Sequence, residues 1–173
     1  MWDMDGLLGY LNVQGTSGRC ISVMNHGAPV EAILVISDEK QIPIIISAGG
    51  TMIKLWNPLL GKCVSKIDTK HSKTITSICM TRILYTETED ESNDNTINQV
   101  YKHRLLSGGL DGLIRIYSLD NLYSDDLNET RMILDKQNYD VPYLHGVKIG
   151  QPLSALSMNV SGTRLVMGTT TGE

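Results

Sequence analysis

The sequence predicts an all-β protein made of repeated sheet units, and three observations predict it. The first is the stretch from 105 to 118, Leu-Leu-Ser-Gly-Gly-Leu-Asp-Gly-Leu-Ile-Arg-Ile-Tyr-Ser. Leu105 to Ser107 is a short apolar run, and Gly109 to Gly112 is turn chemistry, because glycine accepts positive φ and aspartate caps its own backbone. Leu113, Arg115 and Tyr117 then alternate with Ile114, Ile116 and Ser118, a period of two. The second is an earlier copy at 45–57, which aligns as Ser-x-Gly-turn followed by x-Ile-basic-apolar-aromatic. Internal repetition of this kind marks a repetitive β architecture. The third is the pair of short continuous apolar runs at 30–37 and 42–47, the composition of strands covered on both faces.

Taken in order, residues 1–5 start abruptly and residues 6–18, with Gly6, Gly9, Gly15 and Gly18, read as a loop. Residues 19–24 form a short alternating strand with no partner of its own. Asn25-His26-Gly27 is a turn, 30–37 a strand, 38–41 a polar turn and 42–47 a second strand. Pro43 stands near the start of that strand, where a lost donor matters least. The first turn–strand copy ends at Trp56, Pro58 and Gly61 break the chain, and 62–67 alternates again. A second unit repeats this order from His71, with a strand at 75–82 and the stretch at 105–118. Two insertions interrupt it, at about 83–103 and 120–142. The first is acidic and rich in Asn and Thr and cannot bury enough apolar area to offset ordering entropy, so both are expected to be flexible. Residues 143–149 suit a strand, and 152–169 form a third, partial copy.

Of 173 residues, 15 are basic and 19 acidic. Glu87, Glu89, Asp90, Glu91 and Asp94 account for five of the acidic ones, so the remainder is near neutral, 15 against 14. No basic excess marks a nucleic-acid footprint. Cys20, Cys63 and Cys79 lack C-x-x-C spacing and read as reduced thiols, hence an expected intracellular setting. No run of about 18 apolar residues is present to cross a bilayer as a helix.

A polar His turn, two buried strands, a Gly/Asp turn and a strand ending in an aromatic residue together resemble the WD-repeat β-propeller family. The resemblance covers about residues 19–82 and 103–169. It implies a partial propeller of about two and a half blades of four-stranded antiparallel sheets: blades at about 30–67 and 75–149, and a half-blade at 152–169. It also implies a structural network in each blade. The second copy offers His71, Ser107, Asp111 and Tyr117, with Tyr in place of Trp. The first offers His26, Ser47 and Trp56, with Gly50 or Thr51 where Asp is expected, so its network should be weaker. The Ser is expected to bond both the His and the aromatic donor. Both insertions are longer than the family needs. Chain 1–173 reads as a fragment of a propeller whose open edges and faces make it aggregation-prone when isolated.

Within the family, Asn25-His26-Gly27-Ala28-Pro29-Val30-Glu31 and Ser47-Ala48-Gly49-Gly50 are similar to WD-repeat scaffolds of the small-subunit processome. That implies a nucleolar, non-catalytic protein acting in pre-ribosomal RNA transcription and processing and 18S rRNA maturation. Its implied partners are other processome proteins and pre-ribosomal or small nucleolar RNA, with no membrane, small-molecule substrate or cofactor.

No residues pair a nucleophile with a base in a known motif: Ser107-Gly108-Gly109 lacks the Lys-Ser/Thr of a phosphate loop, and no G-x-S-x-G elbow occurs. His103 and His145 lack partners at metal spacing. The acidic run at 87–94 suits a solvated loop or a basic partner, and Lys66, Lys70 and Lys73 a solvated rim or a phosphate contact. The competing reading is a propeller serving as substrate receptor of a ubiquitin ligase. Trp2-Asp3-Met4-Asp5, Trp56-Asn57-Pro58-Leu59 and Tyr117-Ser118-Leu119-Asp120 all lack the Arg of the Trp-Asp-x-Arg ending such receptors carry.

Overall fold

A computed structural model describes residues 5–14, 17–36, 43–88, 97–122, 139–159 and 161–172. They form twelve strands: β1 (Leu7–Gln14), β2 (Ser17–Asn25), β3 (Ala32–Ile36), β4 (Ile44–Gly49), β5 (Met52–Asn57), β6 (Lys62–Asp68), β7 (Ile75–Thr88), β8 (Ile97–Gly109), β9 (Leu113–Ser118), β10 (Tyr143–Lys148), β11 (Leu153–Met158) and β12 (Leu165–Thr169). Two sheets have four strands each, in the orders β3-β4-β5-β6 and β10-β9-β8-β7, and the hairpins β1-β2 and β11-β12 flank them in sequence. Every pairing is antiparallel. Sequential up-and-down order with tight turns is what short alternating segments separated by Gly and Asn dictate.

Three segments differ from the sequence reading. Residues 7–14, read as loop, are strand β1, paired with β2 from Leu7↔Asn25 to Gln14↔Ser17. The glycines masked a period-two pattern in which Leu8 is buried while Leu7 and Leu11 are exposed. Residues 83–88 and 97–103, read as flexible insertion, extend β7 and β8 as a paired ribbon from Arg82↔His103 to Thr88↔Ile97. Cross-strand stacking supplies what burial does not: Arg82 lies 5.0 Å from the Tyr101 ring and Lys102 lies 4.7 Å from the Tyr85 ring. Residues 89–96 and 123–138 of the two expected insertions lie outside the described residues, but 139–142, also expected to be flexible, pack on the first four-stranded sheet: the Tyr139 N–H donates to the Val64 carbonyl at 3.2 Å and Val141 is buried in the core beside it. A 3-10 turn, Asp120–Leu122, opens the second.

The hydrophobic cores lie between consecutive sheets. Leu8, Met24, Val30, Ile45 and Trp56 join the β1-β2 hairpin to the first four-stranded sheet. Ile46, Ile53, Leu55, Ile75, Ile78, Leu105 and Tyr117 join the two four-stranded sheets. Leu106, Ile114, Leu153 and Leu156 join the second to β11-β12. The same positions recur: Leu8, Ile53 and Ile114 each reach toward the sheet that follows, while Val30, Ile75 and Leu153 each reach toward the one before. Burying aliphatic side chains of this size contributes roughly 1.5–3 kcal/mol apiece, so each sheet depends on its neighbours for its hydrophobic cover.

Candidate functional site

The polar groups that the repeats bring together are buried at the ends of these sheets. In the second sheet, His71 follows β6 and Ser107 is on β8, opposite Ile78 of β7. Asp111 lies in the β8–β9 turn. His71 Nδ1 is 2.9 and 3.0 Å from the two Asp111 carboxylate oxygens, and its Nε2 is 2.9 Å from Ser107 Oγ. A carboxylate only accepts, so His71 Nδ1 carries the proton and Nε2 accepts from the serine hydroxyl. Asp111 also receives the backbone N–H groups of Ser72 and Leu113, at 3.0 and 3.2 Å. Burial pushes the Asp111 carboxyl up, but these three donors more than offset it and hold it below the usual carboxylate range. Burial holds His71 below the ordinary imidazole value, against the pull of Asp111.

Tyr117 has a second partner besides the expected serine. Its hydroxyl donates to the Thr69 carbonyl at 3.2 Å and also lies close enough to Ser107 for that hydroxyl to act on its titration; burial is the larger influence and raises its pKa. A phenol reaches past the point where an indole N–H would stop, so its donor meets the backbone before the His turn.

In the first sheet His26 Nδ1 is 2.7 Å from Ser47 Oγ, and Trp56 Nε1 donates to the same oxygen at 2.8 Å. His26 Nε2 donates to the Gly49 carbonyl at 3.2 Å. With no carboxylate at Gly50 or Thr51, a backbone carbonyl takes the imidazole proton. Burial holds His26 below its ordinary value. The structure therefore brings His71, Ser107 and Asp111 into one set of contacts, with Tyr117 beside Ser107, and His26, Ser47 and Trp56 into another.

Both networks need a glycine two residues beyond the serine. A Cβ on Gly49 would stand 2.4 Å from the Pro29 carbonyl and 2.9 Å from the His26 ring, and one on Gly109 would stand 2.9 Å from His71 Nδ1. Two further residues escaped the sequence reading although their signal was visible as the repeated basic position. Lys54 Nζ donates to the His26 carbonyl at 2.5 Å, and Arg115 Nη2 to the Lys70 carbonyl at 2.7 Å. In both sheets the cation secures the chain entering the His turn. Asp120 was also missed: it gathers Arg104, Ser118 and the His103 backbone N–H.

In the β11-β12 hairpin, Ile149 stands four residues before Leu153, as His71 stands before Ile75. Met167 pairs with Leu156 as Ser107 pairs with Ile78. The third copy thus puts apolar residues where the other two have their His and Ser. His103 is half-buried and held below its ordinary value by burial, and His145 is exposed on β10. No group of three or more metal-ligating side chains is present among the described residues, and no helix among them is long and apolar enough to cross a membrane.

Asp111, His71 and Ser107 have the hydrogen-bond order of a hydrolytic triad, yet Ser107 is 0% and His71 5% exposed. A nucleophile needs open space for its electrophile and donors for the developing oxyanion, and a wholly buried serine leaves no such space.

The stacked four-stranded antiparallel sheets, each closed at one end by such contacts, define a protein of the β-propeller class, represented here in part. No family model matches the sequence. The chain is similar to proteins named U3 small nucleolar RNA-associated protein 15: it is 27% identical over 149 residues to the one from Schizosaccharomyces pombe, covering 86% of this chain and 22% of that protein. It is 32% identical over 98 residues to the Gallus gallus homologue, covering 57% of this chain and 15% of that protein, and 31% identical over 95 residues to the Homo sapiens homologue, covering 55% and 14%. The chain thus spans between about a seventh and a fifth of the length of these relatives.

Proposed function

We propose that this chain is part of a non-catalytic WD-repeat scaffold of the small-subunit processome, acting in the nucleolus in pre-ribosomal RNA transcription and processing and in 18S rRNA maturation. The observation that carries this reading is the 27% identity over 149 residues, 86% of the chain, to the U3 small nucleolar RNA-associated protein 15 of Schizosaccharomyces pombe. In this reading His71, Ser107, Asp111 and Tyr117, with His26, Ser47 and Trp56, are structural blade residues. The complete burial of Ser107 supports that role over a catalytic one. Their job is to set the ends of the sheets so that the exposed turns and strand faces present fixed surfaces to other processome proteins and to pre-ribosomal or small nucleolar RNA.

The test is affinity capture of the chain from nuclear extract, followed by sequencing of bound RNA and identification of bound proteins. Recovery of U3 small nucleolar RNA, pre-ribosomal RNA and processome proteins is expected. Recovery of a cullin adaptor without them would replace this reading with that of a ubiquitin-ligase substrate receptor.

A further inference from the structure

We infer that the cross-strand pair Lys54–Lys66 on the first four-stranded sheet is a binding site for a phosphate group. Lys54 of β5 and Lys66 of β6 are directly opposite one another in the ladder. Opposed residues in an antiparallel pair hold their Cβ atoms about 4.5–5.5 Å apart, and like charges there destabilise the sheet. Among the described residues neither lysine has a carboxylate within ion-pair distance. The nearest carboxylate along β6, Asp68, is taken by Lys70, whose ammonium lies 2.5 Å from one oxygen and whose backbone N–H bonds the other at 3.3 Å. Lys54 is not free to swing away: it bonds the His26 carbonyl and lies 5.8 Å from the centre of the Trp56 ring. Burial and the neighbouring Lys66 both act against its charge. Gly27, exposed and without a side chain, lies beside Lys54: the place of its missing Cβ is 3.9 Å from Lys54 Nζ.

Two lysines opposed in the ladder, one with its ammonium anchored and one exposed, match an anion that can accept from both at once. A phosphate or phosphodiester group has the oxygens to do so and gains from releasing its own counterions. The processome reading is not needed for this inference, and the binding experiment below can fail without affecting capture from extract.

Cys63 supplies a reporter at the site. Its thiol is half-buried and pushed up by burial, while Lys54 and Lys66 pull it back down. An anion between the lysines removes that pull, lowers the thiolate fraction and slows alkylation. The rate of Cys63 modification by iodoacetamide is measured at low salt in the Cys20→Ser chain, Cys79 being buried. It is measured with a single-stranded oligoribonucleotide and, separately, with inorganic phosphate. At least a two-fold slowing is expected, lost in high salt and in Lys66→Gln, and restored in Lys66→Arg. Slowing by the oligonucleotide assigns the phosphate to a polymer, and slowing by inorganic phosphate alone assigns it to a free anion. No slowing by either, or equal slowing in Lys66→Gln, overturns the inference. Unchanged Trp56 emission in Lys66→Gln, read in a Trp2→Phe chain, verifies that the exposed substitution leaves the sheet intact.

Discussion

His26 and His71 present opposite ring nitrogens to their serines: His26 faces Ser47 with Nδ1, and His71 faces Ser107 with Nε2. The reversal follows from where each ring can place its proton. His71 donates from Nδ1 to the Asp111 carboxylate, and His26 donates from Nε2 to the Gly49 carbonyl. One network ends on a charge and the other on a dipole, and they should respond differently to mutation and to acid.

Asp111→Ala removes the acceptor shared by His71 Nδ1 and the backbone N–H groups of Ser72 and Leu113. Leaving buried donors unpaired costs about 1–3 kcal/mol. Urea unfolding should show this as a lower midpoint with unchanged slope, and Asp111→Asn, which keeps an acceptor oxygen, should lose less. A midpoint equal to that of the unsubstituted chain would show that the carboxylate contributes nothing to the sheet.

Gly49→Ala should be among the costlier single-methyl additions in the chain. The new Cβ would meet the Pro29 carbonyl and the His26 ring, neither a flexible tip. Overpacking of this kind costs about 1–3 kcal/mol, and displacement of the ring would also open the His26–Ser47 bond. Gly150→Ala is the comparison: nothing lies within 4 Å of its Cβ position, and only the positive φ is unfavourable, about 1 kcal/mol. Thermal denaturation of the two variants side by side checks the order, which a larger loss in Gly150→Ala would reverse.

Acid should loosen the first sheet before the second. The folded values of His26 and His71 both lie below the ordinary 6.5, principally through burial. Each histidine therefore binds fewer protons when folded than when unfolded. Its contribution to stability is complete above about pH 6.5 and is lost as pH falls through the lowered folded value. Arg115 opposes charge on His71 and Lys54 opposes it on His26, but Asp111 accommodates a charged His71, whereas a charged His26 has only the Gly49 carbonyl to receive it. In a Trp2→Phe chain, Trp56 emission should shift to the red below pH 6.5 at a higher pH than the exposure of Tyr117. Simultaneous transitions would show that the carboxylate gives the second sheet no advantage.

Arg115→Leu should free the Lys70 carbonyl and cost about 0.5–1.5 kcal/mol. Arg115→Lys, the residue type that Lys54 provides in the first sheet, should recover most of it. Chemical denaturation of the pair decides whether the cation or only the aliphatic stem matters; equal stability of the Leu and Lys variants would assign the effect to packing.

Much of the fold was legible because its signals are local. The serine, the glycine two residues on, and the turn before an alternating strand can be read without knowing what packs where, since turn chemistry and period-two burial act over a few residues. The repeated basic residue was equally visible, but its bond to the His-turn carbonyl spans 28 residues in one sheet and 45 in the other, a distance no local pattern encodes. Strand β1 was missed because its glycines imitate loop chemistry; Leu8 becomes a core residue only when the next sheet covers it. The ribbon at 83–88 and 97–103 was missed because its composition lacks a buried face, and cross-strand cation–aromatic stacking leaves no mark on hydrophobic periodicity.

By itself the sequence determined that the chain is all-β, that it repeats, and which residues of each repeat carry polar groups worth burying. Tertiary structure alone decided which nitrogen of each histidine holds the proton, where the Tyr117 hydroxyl goes, and that two lysines face each other across a ladder. Strand propensity and turns are properties of neighbouring residues, whereas hydrogen-bond direction and charge opposition depend on atoms that meet only after the sheets have stacked.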